Sequence, residues 1–214
     1  MKIFVVNLDK ATDRWEHYKD DERYERWSAW HWKDIRDDHP IFEEMISYWN
    51  IHPDEHNAKC GCFITHLRLY KYIVANHLEN VIIIEDDAEL VGELPNIDDL
   101  PKDGFTYLGG FTSHPKMTQG PLKVELEDGV NRIKHSEYRV LTTLAIYIPH
   151  WSVAYKMIQA IESRPRKRAI DVMIRDTARN QYLYYPAPFK ERPNISQIRK
   201  NKNKYCNEFY EWKK

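Results

Sequence analysis

Three consecutive acids, Glu85-Asp86-Asp87, follow directly on four β-branched residues, Val81-Ile82-Ile83-Ile84. β-Branched side chains favour a strand, so the acids are expected where a buried strand stops. Carboxylates fixed at a rigid strand end project together and present hard oxygen donors to a divalent cation. Such a cation offsets the charge of a diphosphate leaving group, which is the chemistry this pattern suits best. Glu85 and Asp87 form an acid, any residue, acid arrangement in which both project to one side. The competing reading is structural: the acids open a loop or cap a following helix.

The elements that must position these acids are alternating strands and helices. Ile3-Phe4-Val5-Val6-Asn7-Leu8 is a nearly continuous apolar run, the pattern of a strand buried on both faces. Polar, cap-forming residues from Asp9 to Arg14 then precede a helix carrying Trp15 and Tyr18. A buried helix is expected from Gly61 to about His77, followed by the strand Val81 to Ile84. Further strands are expected at Phe105 to Phe111, Val140 to Ile148 and Tyr182 to Tyr185, with a hairpin-like excursion from Lys123 to His135. Pro149 should end the Val140 strand, His150 to Glu162 should be helical, and Ile170 to Thr177 a short helix. Asp20 to Pro53, dense in Trp, His, Asp and Arg, gives no clear period. The pattern predicts one α/β domain over residues 1–214, with a mostly parallel central sheet flanked by helices. Ligands bind beyond the carboxyl ends of the strands in such sheets, which points to Asn7 to Arg14 and to Glu85 to Asp87.

Composition narrows the partners. The 32 Lys and Arg nearly cancel the 33 Asp and Glu, so no overall field argues for nucleic acid or for an anionic membrane surface. Aromatic residues make up 13% of the chain, more than a disordered segment carries. No apolar run approaches a membrane span, and the first residues lack the pattern of a signal peptide. Cys60, Cys62 and Cys206 form neither a C-x-x-C pair nor an even set, so reduced thiols in a cytoplasmic setting are expected, with any membrane met from its surface.

Several segments in order resemble glycosyltransferase family 25, which includes lipopolysaccharide and collagen galactosyltransferases. They are Val6-Asn7-Leu8 with Arg14, Gly61-Cys62-Phe63-Ile64-Thr65-His66-Leu67, the strand into Glu85-Asp86-Asp87, Thr143-Leu144-Ala145-Ile146-Tyr147 and Ile170-Asp171-Val172-Met173. The resemblance implies a GT-A type, Rossmann-like fold, a UDP-sugar donor, a glycan or glycoprotein acceptor, Mn²⁺ or Mg²⁺, and inversion at the anomeric carbon. On it, Asp87 would be the metal ligand, and Glu85 or Asp86 would bind ribose or a metal-bound water. Asn7, Leu8, Arg14 and Thr65 would line the nucleotide-sugar, with His66 beside Thr65 near the donor site, and Asp171 would be the general base that takes the acceptor hydroxyl's proton.

Each role has a plainer rival. Arg14 could form a surface ion pair, His66 could be a satisfied core histidine, and Asp171 could be the N-cap before Val172 and Met173. His114, His135 and His150 are candidates for a second metal ligand. Trp27, Trp30, Trp32 and Trp49 could stack on an acceptor sugar, although aromatic residues more often pack. Lys and Arg residues after Arg192 could clamp phosphates. A nucleotidyltransferase would need a Gly-rich phosphate loop, which a chain with 7 Gly does not show. A glycoside hydrolase would need facing carboxylates, for which Asp87 and Asp171 are the candidates. A non-catalytic carbohydrate-binding module with a structural ion is the alternative outside enzymology.

Overall fold

The computed structural model describes residues 1–31, 53–113, 125–164, 167–177, 180–192 and 207–208. Ten strands are described: β1 (Lys2–Leu8), β2 (Tyr24–Ala29), β3 (Glu79–Glu85), β4 (Ala88–Leu90), β5 (Phe105–Ser113), β6 (Gly129–Arg132), β7 (Arg139–His150), β8 (Gln181–Tyr185), β9 (Phe189–Glu191) and β10 (Asn207–Glu208). The helices are α1 (Thr12–Trp15), α2 (Pro53–Ala75), α3 (Trp151–Glu162) and α4 (Ile170–Thr177).

The main sheet runs β2-β1-β3-β7-β5-β8-β6, with β10 against β5, and β4 pairs with β9 in a separate two-stranded sheet. An α/β architecture is what the alternation predicted, but the sheet is mixed, not mostly parallel. β1 is parallel to β2 and β3, and β5 to β8, whereas β7 is antiparallel to both β3 and β5. Continuous apolar runs report burial on both faces and carry no direction, so β3 and β7 read alike in the sequence.

That two-sided burial is visible residue by residue. Phe4, Val6, Val81 and Ile83 enter one core cluster with Phe63, Val153 and Ile170 of α2, α3 and α4. Ile3, Val5, Ile82 and Ile84 enter the other, with Tyr18, Ala88, Leu100 and Phe189. The period of two in a strand sends alternate side chains to opposite faces. Helices α2 to α4 therefore cover one face, and the small sheet with the neighbouring segment covers the second.

Three local expectations change. Helix α2 begins at Pro53, eight residues before Gly61, with proline in the first turn, where its missing N–H costs no hydrogen bond. Strand β7 continues through Pro149 to His150. Its pairing with β5 reaches only Tyr147, while pairing with β3 reaches His150, so Pro149 lies where one side of the strand has no partner. The excursion expected from Lys123 to His135 is described only from residue 125; there β6 pairs antiparallel with β8, and no hairpin partner appears among the described residues.

Candidate active site

β1 and β3 are parallel, so Leu8 and Glu85 finish at the same edge of the sheet. β7 runs the opposite way and begins there, bringing Thr142 and Thr143 to the end of β3. Asp86 and Asp87 form a two-residue turn between β3 and β4. A strand follows the acids, so capping of a following helix is ruled out as their explanation.

The acids divide between two environments. Asp86 is buried, and its Oδ1 pairs with Arg14 Nη1 at 2.7 Å while its Oδ2 accepts from Asn7 Nδ2 at 2.7 Å. Asn7 also donates to the Ala11 carbonyl at 3.1 Å and accepts from Arg26 Nε at 2.9 Å. Arg26 reaches on to the carbonyls of Leu8 and Asp9, both at 3.1 Å. Burial pushes the Asp86 carboxyl up to about 6, against the downward pull of Arg14 and Asn7. Arg14 is thus a buried ion-pair partner, not a surface one.

Glu85 turns the other way. Its Oε1 accepts a hydrogen bond from Thr143 Oγ1 and lies 3.9 Å from His66 Nε2. Burial raises the Cys62 thiol well above its usual value, and the charges of Glu85, Asp171 and Asp87 push it further. Of these, Glu85 is the carboxylate that comes within 4.8 Å of the thiol, together with His66.

Asp171 sits in the first turn of α4 and is held from two sides. Its Oδ1 accepts from the Val172 N–H at 2.8 Å, and its Oδ2 accepts from the Thr142 N–H at 3.3 Å. Thr142 has a φ of 79°, a left-handed conformation that is costly for a β-branched residue. Its own hydroxyl accepts from the Leu144 N–H at 2.8 Å, which supports the bend. Asp171 is the second residue of α4 and therefore not its N-cap, the plainer rival; it binds one first-turn N–H and reaches across to β7.

Asp87 is buried, and its carbonyl accepts from the Arg192 N–H at 2.7 Å. Arg192 also donates from Nε to the Ala88 carbonyl at 3.2 Å, tying β9 to the acidic turn. Thr65 is fully buried, donates to the Gly61 carbonyl at 2.7 Å and accepts from the Trp30 N–H at 2.9 Å. Trp27 packs edge-on against Phe4 at 6.0 Å, and Trp30 lies under Arg68 at 4.5 Å, so both serve packing here. Trp32, Trp49, His114 and the basic residues after Arg192 lie outside the described residues.

Two histidine candidates are placed away from the acids. His150 caps α3 by accepting from the Ser152 N–H at 3.1 Å and lies 3.3 Å from Glu79 at the start of β3. Six residues of extended chain, about 20 Å, separate Glu79 from Glu85, so His150 cannot share an ion with the acids. His135 is exposed on the segment between β6 and β7. His66, named in the sequence only as a donor-site neighbour or a core residue, is the histidine at Glu85. It is fully buried, yet neither ring nitrogen has a hydrogen-bond partner among the described residues, so it is not a satisfied core histidine. Its four-residue spacing from Cys62 on one helix was the available signal.

No helix among the described residues is long and apolar enough to cross a membrane. Comparison with curated proteins finds no match. The family model described as glycosyltransferase family 25 (LPS biosynthesis protein) matches residues 1–174, which contain Glu85, Asp86, Asp87 and Asp171 but not Arg192 or β9. With that match covering most of its length, the chain belongs to glycosyltransferase family 25.

Proposed function

We propose that the chain is a metal-dependent glycosyltransferase of GT-A type, transferring a hexose, galactose or glucose, from a UDP-sugar to a hydroxyl of a glycan or glycoprotein with inversion. Family membership supports glycosyl transfer itself, and with it a sugar donor and an acceptor as partners. The observation that supports the finer reading is that the acidic turn after β3, the end of β1 and, through the Thr142 N–H at the start of β7, Asp171 all lie at one edge of the sheet.

The donor set fits a hard cation, since Asp87 offers a carboxylate from a turn anchored by Arg192 and by β4. Mn²⁺ or Mg²⁺ held there would neutralise charge developing on the departing diphosphate. Asp86, saturated by Arg14 and Asn7, fixes the turn, while the loop from Leu8 to Arg14 frames the nucleotide. Thr65 supports this wall from within by anchoring the Trp30 backbone. Asp171 acts as general base: both oxygens are oriented by N–H groups and each retains a lone pair for the acceptor hydroxyl.

Isothermal titration with UDP, GDP and CMP, each with and without Mn²⁺, tests the reading. UDP binding that requires the metal is expected, with Asp87→Asn abolishing it. Asp171→Asn should keep binding and lose turnover by about 10²–10⁴-fold. Absence of metal-dependent nucleotide binding would overturn the proposal and favour a glycan-binding module.

A further inference from the structure

Beside the acidic turn lies a donor set of a different kind. Cys62 and His66 are one helical turn apart on α2, and Glu85 faces them from the end of β3. One ligand atom from each, a thiol sulfur, an imidazole nitrogen and a carboxylate oxygen, lies within 4.8 Å of the others. We propose that Cys62, His66 and Glu85 form a second metal site, distinct from the Asp87 site, that selects a soft divalent ion of the Zn²⁺ type.

The independent observation is His66. Its ring is fully buried beside Tyr70, and both nitrogens lack hydrogen-bond partners among the described residues. A buried polar atom left unsatisfied costs about 1–3 kcal/mol, so a fold that retains one calls for a ligand. Coordination through Nε2, the nitrogen nearest Glu85, would use its lone pair and leave only Nδ1–H without a partner.

The chemistry discriminates between ions. Thiolate and imidazole are poor ligands for Mg²⁺ and good ones for Zn²⁺, whereas the acidic turn offers only oxygens. Metal-to-ligand distances of about 2.0–2.3 Å in a tetrahedron place donor atoms about 3.5 Å apart, so rotamer adjustments of about 1 Å close the set. Thr143, by donating to Glu85, fixes the carboxylate in the way that neighbours orient metal ligands. As the sulfur–zinc bond forms, the Cys62 thiol proton passes to solvent, and the charge of the ion offsets the thiolate and the Glu85 carboxylate. Three protein ligands leave a tetrahedral Zn²⁺ with one further position to fill. Three protein ligands with one open position match a site that can bind water or substrate, and not a closed structural knot.

The test uses the full chain stripped of metal and titrated with Co²⁺ as a spectroscopic stand-in for Zn²⁺. One equivalent should produce a thiolate-to-cobalt charge-transfer band, which Zn²⁺ bleaches and excess Mg²⁺ does not. The double variant Cys60→Ser/Cys206→Ser should keep the band, because Cys62 is then the sole thiol. Cys62→Ser should lose it, and His66→Gln should weaken Co²⁺ binding tenfold or more. Asp87→Asn should keep the band even where UDP binding fails, which separates this site from the proposed donor site. No band in the native chain, or a band lost in the double variant, would overturn the proposal, whether or not Cys62→Ser folds.

Discussion

Two polar regions flank the end of β3, and they are built to opposite rules. On the β1 side, Asp86, Arg14, Asn7 and Arg26 form a network in which each carboxylate oxygen of Asp86 has a direct partner at 2.7 Å. On the α2 side, His66 is as deeply buried, but its ring is left without a hydrogen bond among the described residues. A saturated network rigidifies, and an unsaturated one keeps valence for something brought from outside. Neighbouring acids of a single EDD triplet thus divide the work, Asp86 holding the scaffold on the β1 side while Glu85 turns to Thr143 and His66 on the other.

The comparison breaks first at Asp86. Asp86→Ala leaves the Arg14 guanidinium buried without its counter-ion and should cost about 3–5 kcal/mol in urea unfolding. The double variant Arg14→Met/Asp86→Leu should recover much of that loss, because neither charge remains to be desolvated. A cost below about 1 kcal/mol for Asp86→Ala would mean that the network does not brace the turn.

The opposite side is probed by pH. Burial lowers His66 from 6.5 to about 4, so the folded metal-free chain resists protonation that the unfolded chain accepts. Stability from this group is fully present above pH 6.5 and is lost as pH falls toward 4, by about 3 kcal/mol in all. Asp86, raised to about 6, works in reverse: its contribution is present at low pH and is lost as pH rises through 6. The two oppose each other across the same window. The His66 contribution is therefore read as the difference between the native chain and His66→Gln, both with chelator present. A pH-independent difference would show that His66 is not held neutral by burial.

Smaller effects mark the limits of the contrast. Thr65→Val removes the acceptor of the Trp30 N–H and should cost about 1–2 kcal/mol, read as a lowered melting temperature. Lys2→Ala, which breaks an exposed pair with Glu25 at 3.1 Å, should change stability by less than about 0.5 kcal/mol. A larger change there would mean that surface charge, not burial, governs the β1 edge.

How far the sequence reveals this arrangement depends on the range of the contacts. Val81 to Ile84 announces its strand because four β-branched residues have few alternatives, and the acids after it then have to lie at the strand's end. Tyr24 to Ala29 does not announce β2: it is an edge strand, mostly half exposed, and its Glu25, Arg26 and Ser28 blur the alternation. β4 and β9 span three residues each, too short for any period. Cys62 and His66 show a helical spacing, but only the packing of α2 on the sheet reveals that Glu85 completes the set. The bend at Thr142, which aims a backbone N–H at Asp171, leaves no mark in residue type, because threonine is an unfavourable choice for that conformation.

The place of β7 in the sheet also sets a timetable. Ile84 pairs with Ala145, 61 positions later in the chain, and the edge of β3 that β7 covers stays open until that partner is made. At about 5–20 residues per second of synthesis, the wait is about 3–12 s. During it, the nascent chain carries Val81-Ile82-Ile83-Ile84 with one row of backbone groups unpaired, the kind of edge to which other chains add. The strand that completes the candidate active site is thus also the one that closes this exposed edge.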